Sequence, residues 1–290
     1  MGQYYYLVTG LPEISLDDSK LSFSVADFKK VIYPQLTLLD KKVADLFFLR
    51  YDNENVLKLL KNPEAATDDR GNFSAQTFTD IFNQLDRKAE LEAEDNDKKV
   101  KVKFGPIPAY LKSFIESNYK KEEDDDPVLI EDRLAAAYYA HAMSCGNEFM
   151  RSWFEFNLNV SNIMIAVTAR KHKMALANII VGQTPVCEAL RTSAQRDFGL
   201  SQELDYLDQV LKIADLDDLV ERERKLDQLR WKWLEDRAFF EYFSVERLMT
   251  FLLETDMVER WLLLDKEKGN QMFRQIISDL KDEVKVPQEF

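Results

Sequence analysis

RSWFEFNLNVSNIMIAVTARKHK, residues Arg151–Lys173, is the stretch on which the fold turns. An aromatic pair, Phe154 and Phe156, runs into Asn157 and then Asn162. An apolar run follows, and Arg170-Lys171-His172-Lys173 closes the stretch. Basic residues at that end suit the negative pole of a helix. Two other stretches share the order. LRYDNENVLKLLK (Leu49–Lys61) carries Tyr51-Asp52, Asn55-Val56 and a basic end; RWLLLDKEKGNQMFRQIISDLK (Arg260–Lys281) carries Leu264-Asp265, Asn270, Met272 and a basic end. Asn55, Asn162 and Asn270 stand 107 and 108 residues apart. Solenoid repeats run to only ~20–50 residues, so the spacing predicts one helical unit used three times.

Composition agrees with helices. The chain has 290 residues, enough for a large core in one large domain or two. Only 8 glycines and 8 prolines leave few tight turns, which argues against a sheet sandwich. A formal charge of −13 opposes generic binding to nucleic acid or anionic lipid, both of which need a basic face. Cys145 and Cys187 are too few for a disulfide framework and lack metal-site spacing, so a reducing cytosol is the expected compartment. The opening GQYYYLVTGLP lacks the features of a signal peptide. No apolar run reaches the ~18 residues of a bilayer span, which leaves only peripheral membrane contact.

Local signals place the elements. Tyr4–Val8 reads as a short strand or a helix start. Ser24-Val25-Ala26-Asp27 has capping-box form, and Thr37–Asp40 repeats it. Asp68–Asn72 is turn chemistry. Phe78, Ile81, Phe82 and Leu85 share one helical face. Lys88–Lys103 and Lys120–Pro127 are charge runs, the second the clearest linker. LAAAYYAHAMSC reads as a helix buried on several sides, and Gly146-Asn147 as a break. Thr184-Pro185 reads as N-cap and first helical residue, with Gly199 ending that helix. From Ser201 to about Asp265 the pattern is helical almost throughout. Leu219, Leu226, Trp233 and Phe240 recur every seven residues, which predicts a buried seam; the alternative is that the aromatic stretch Trp231–Phe243 meets a partner. Ser244 caps a further helix.

The chain carries no signature of chemistry. Gly-x-x-x-x-Gly-Lys, Gly-x-Gly-x-x-Gly, Gly-x-Ser-x-Gly and His-Glu-x-x-His are all missing. His141 and Cys145 share a helix face without further ligands or an oriented base, and read as core. Asp52-Asn53-Glu54-Asn55 lacks the glycine and terminal glutamate of a calcium loop. No catalytic residue, cofactor site or metal site is therefore expected. The repeated asparagines have two readings. A buried amide must be bonded and fixes how two helices meet; an exposed one sits near a helix start.

At the three echoed segments the chain resembles a rotor-subunit family of V-type and A-type ATPases, whose eukaryotic member is the thirty-nine-kilodalton accessory subunit. The opening YYYLVTGLP is also similar to a bacterial family encoded among V-type ATPase subunits. On this resemblance Asp52 and Asn55 mark the first repeat, Asn157 and Asn162 the second, Asp265 and Asn270 the third. The acid-or-amide to asparagine gap is three in the first repeat and five in the others. Leu264 and Arg260-Trp261 replace the expected aromatic pair. The resemblance implies an all-α fold of three pseudo-repeated bundles in a funnel-like subunit, with repeats at about 1–119, 128–200 and 201–285 and an acidic linker at 120–127. It implies a non-catalytic rotor part seated between the central stalk and the membrane rotor ring. Such a part is cytoplasmic, attached peripherally to the inner membrane, and needs no nucleic acid, cofactor or homo-oligomer. Two other expectations stand beside it: a free-standing helical scaffold or regulatory protein, and an enzyme whose pocket uses His141, Glu148 and Arg151.

Overall fold

The structure, a computed structural model, describes residues 3–94, 101–121 and 126–283, with side chains as far as Lys266. The described residues are all-α: eleven α-helical segments and no strand. The middle of the expected linker (122–125), part of the earlier charge run (95–100) and the tail (284–290) lie outside them.

The chain divides into two compact units, one made of Met1–Thr37 and Asp227–Phe290, the other of Leu38–Leu226. This division does not follow the three segments read from the spacing. The N-terminal stretch sits with the C-terminal helix, so its partners lie at the opposite end of the sequence.

The Leu38–Leu226 unit is organised by two helices of 24 residues, α3 (Leu38–Lys61) and α7 (Glu148–Lys171). Between them lie α4 (Ala75–Glu94), α5 (Ala109–Asn118) and α6 (Ile130–Met143). After α7 come α8 (Pro185–Thr192) and α9 (Leu207–Ala214). α7 packs against α6, α8 and α9, and α3 against α5 and α6. Asn147 starts α7 as its N-cap, accepting the Met150 N–H at 2.9 Å. Thr184 caps α8, with Pro185 in its first turn. The face Phe78–Ile81–Phe82–Leu85 of α4 is buried as its spacing requires, in a core shared with Val56, Leu111, Ile115 and Leu134. α6 departs from expectation: it buries one stripe, Leu134, Tyr138 and Ala142, not several sides. Gly199 does not end α8, which stops at Thr192; it takes φ +75° in a separate turn after Phe198.

In the other unit, Tyr5–Thr9 is a short helix, α1, which settles strand against helix. Ser24 forms the capping box of α2 (Val25–Asp27): its side chain accepts the Asp27 N–H at 3.1 Å while Asp27 accepts the Ser24 N–H at 2.9 Å. The chain continues through a π-helical turn, Phe28–Ile32, and a 3-10 turn. α2 packs against α11 (Val245–Glu283), where Phe23 meets the Phe251 ring at 5.7 Å. The division between the units falls inside α10 (Leu219–Ala238). Asp227 of α10, fully buried, accepts from Arg230 (3.0 Å), Arg260 and Trp261 (2.7 Å). A buried carboxylate left without partners is costly, so Asp227 fastens α10 to α11 through Arg260 and Trp261.

The seven-residue seam is corrected in part. Leu226 is buried, as are Leu229 and Leu234, but Leu219 is 67% and Phe240 78% exposed. α10 ends at Ala238, so Phe240 lies past the helix and off its face. The near-continuous helix expected from Ser201 is likewise broken, between Asp215 and Asp218 and again between Phe239 and Ser244.

Candidate functional site

Two of the asparagines that define the sequence repeat, Asn55 and Asn162, are buried, and they do the same thing. Asn55, on α3, is fully buried. Its Nδ2 donates to the Asp68 carbonyl at 2.9 Å, and its Oδ1 accepts the Asp68 N–H at 2.7 Å. Asn162, on α7, is also fully buried. Its Nδ2 donates to the Val181 carbonyl at 2.7 Å, and its Oδ1 accepts the Val181 N–H at 2.9 Å. Each amide thus grips both backbone groups of one residue in the loop after its helix. An amide has one acceptor oxygen and two N–H donors, so it can replace a β-ladder neighbour for a single residue. Buried peptide groups must be paired, and here a side chain does it.

Asp52 extends the first clamp. It is fully buried; Oδ2 accepts the Asn72 N–H at 2.8 Å and Oδ1 the Phe73 N–H at 3.0 Å. Asn72 in turn donates to the Asp45 carbonyl at 3.0 Å. Gly71 is required by close approach: a Cβ there would lie 2.4 Å from Asp52 Oδ1. Arg70 forks onto Asp68, Nη2 to Oδ2 at 2.7 Å, and its guanidinium stacks 4.3 Å over the Tyr51 ring. That hydrogen-bonded guanidinium holds the Asp68 carboxyl below its ordinary range. Beside the clamp, Tyr110 donates to Asn53 Oδ1 at 2.8 Å, and burial pushes its phenol well above the usual value. His141 leans on the Tyr110 ring at 5.1 Å, and burial lowers its basicity.

The second loop is held by different chemistry. Cys187 Sγ donates to the Val181 carbonyl at 3.2 Å, and Arg191 donates to the Ile180 and Gly182 carbonyls at 2.8 and 2.6 Å. Gly182 takes φ +85°, a region costly for residues with a Cβ.

Beside the asparagine, the second repeat is built differently from the first. Asn157, matched to Asp52 on the resemblance, donates at 2.8 Å to Trp153 of its own helix. The residue three before Asn162, as Asp52 is three before Asn55, is Asn159. It is 2% exposed and donates to the Tyr206 hydroxyl at 3.2 Å. In sequence, Asp52-x-x-Asn55-Val56 and Asn159-x-x-Asn162-Ile163 align without insertion.

The third pair is unlike these. Asp265 is exposed on α11. Asn270 lies on the α11 backbone, but its side chain is outside the described residues. Glu148 and Arg151 are exposed on the first turn of α7. Among the described residues no three His, Cys, Asp or Glu side chains gather to hold a metal ion, and no helix is long and apolar enough to cross a membrane. Cys145 and Cys187 are free thiols. What the clamps do chemically is fix backbone, because the amide groups of Asn55 and Asn162 are spent on peptide groups.

No curated protein and no solved structure matches the chain. A family model described as a protein of unknown function, DUF2764, matches residues 1–284, and the chain belongs to that family.

Proposed function

We propose that this member of the DUF2764 family is a non-catalytic coupling subunit of a V-type rotary ATPase or ATP synthase, a stiff helical adaptor between the central stalk and the membrane rotor ring. The observation that supports this reading is the pair of amide clamps at Asn55 and Asn162, two of the positions that carry the resemblance. A rotor part transmits torque, so its loops must not yield when its helices are pushed. Clamps that convert loops into extensions of α3 and α7 serve that need. The partners are stalk and ring proteins; the acidic surface disfavours nucleic acid, and membrane attachment runs through the complex, on the cytoplasmic face of the inner membrane.

A free-standing helical scaffold is the second reading. The division into two compact units, where a threefold repeat calls for three, favours it. Copurification separates the two. A tagged copy expressed from its own locus is expected to bring down stalk and ring subunits in near-stoichiometric amounts. Recovery without them removes the rotor reading and leaves the scaffold.

A further inference from the structure

The unit made of the two chain ends carries an aromatic surface that its own fold leaves largely exposed. α1 is tied down at Tyr4, which is 7% exposed; its N–H donates to the Phe243 carbonyl at 2.7 Å and its hydroxyl accepts the Thr37 N–H at 3.1 Å. Tyr5 meets Phe243 with ring centroids 4.3 Å apart. These contacts bring α1 against the turn that joins α10 to α11. The turn is itself fixed, by the Glu241 N–H on the Ala238 carbonyl at 2.9 Å and by Ser244 Oγ on Glu241 Oε2 at 2.7 Å. Yet the rings presented there face water: Tyr6 is 94% exposed, Phe240 78%, Phe239 67%, Tyr242 64% and Tyr5 49%.

Aromatic side chains bury about 150–250 Å² each. At these exposures the five rings offer on the order of 700 Å². Summed over the rings, that approaches the ~800 Å² per partner of a stable protein interface. The rings sit on hydrogen-bonded backbone, so docking costs little ordering.

Charge selects the occupant. Residues 3–12 carry no charge. On the α10 side, Lys232 pairs with Asp236 at 3.0 Å, and Arg237 lies over the Trp233 ring at 5.2 Å. Glu235 accepts the Trp231 indole N–H at 3.0 Å and Glu241 the Ser244 hydroxyl, so three acids stand against two bases along Lys232–Glu241, and the chain as a whole stands at −13. An anionic bilayer or a second copy of this chain meets repulsion there.

We propose that Tyr5, Tyr6, Phe239, Phe240 and Tyr242 form a docking surface for a partner protein helix whose apolar side chains are flanked by lysine or arginine. The surface stands on the geometry of one unit, whichever assembly the chain serves, so it can hold when the rotor reading fails, and the reverse.

The test uses the full chain and dye-labelled synthetic helices, read by fluorescence anisotropy. One helix carries leucine at i, i+3, i+4 and i+7 with lysine between, one replaces lysine by glutamate, and one replaces leucine by serine. The leucine–lysine helix is expected to bind best. Phe239→Ser/Phe240→Ser should weaken it about tenfold or more, the scale of an interface anchor. Leu129→Ser, at an exposed apolar site in the other unit, should leave it unchanged. Unaltered melting of the doubly substituted chain checks its folding. The proposal is overturned if the leucine–lysine helix does not bind, if the serine–lysine or leucine–glutamate helix binds as well, or if Leu129→Ser weakens binding equally. It is also overturned if the patch instead binds phosphatidylglycerol vesicles or drives dimerisation in sedimentation.

Discussion

The two clamps share a frame and differ in how they are filled. On α3 the slot three residues before the asparagine holds Asp52, a buried charge that takes two loop N–H groups. On α7 the same slot holds Asn159, which turns away to Tyr206 and leaves its own Oδ1 without a hydrogen bond in the described structure. The second loop compensates through Arg191 and Cys187, which come from α8 on its far side. The asparagine is thus the constant part, and its neighbour is free to change once another element takes over the loop.

The largest effect should come from Asp52→Ala, which strips two buried N–H groups of a charged acceptor. Charge-assisted bonds contribute about 1.5–3 kcal/mol each, so a loss of about 3–4 kcal/mol is expected in urea unfolding. A loss below about 1 kcal/mol would show that the loop re-pairs by itself. Asn55→Ala and Asn162→Ala each orphan one buried N–H and one carbonyl, for about 2–3 kcal/mol. Asn162→Ala should cost less, because Cys187 still donates to the Val181 carbonyl. The reverse order would rule out compensation by the thiol.

α11, which carries the third repeat positions Asp265 and Asn270, buries Glu254, and burial lifts its pKa from 4.5 to about 7. The folded state therefore keeps a proton that the unfolded chain has lost. Stability should fall as pH rises between 4.5 and about 7, by no more than ~1.4 kcal/mol per unit, and level off above that. Glu254→Gln should flatten this decline in a series of thermal melts. Asn159→Leu exchanges one hydrogen bond for removal of an unfilled acceptor, so a change within about 1 kcal/mol is expected; a large loss would show that its oxygen has a partner. Asp265→Ala, on an exposed turn of α11, should stay within about 0.5 kcal/mol.

Much of this was legible because it is local. The Ser24 capping box, the Thr184 cap and the α4 face all rest on residues within a turn or two of one another. The clamping asparagines were legible as positions, but not as clamps. Their partners are peptide groups 13 and 19 residues away, and a peptide group leaves no letter in the sequence. Phe240 was misplaced because nothing in Ala238-Phe239-Phe240 announces the end of α10; no glycine or proline marks it. The two-unit division was hidden for a different reason. It depends on Tyr4 meeting Phe243, and no periodicity spans that distance.

The shortness of the two clamped circuits bears on the order of folding. Joining ends so near in the chain carries a small entropic penalty, so each bight can shut while the distant termini are still apart. Deuterium uptake should register this: the Asp68 and Val181 amide protons, though outside any helix, should outlast those at the fraying ends of α3 and α7. Joints of this kind would give the middle of the polypeptide its shape early, and leave the marriage of its two extremities for last.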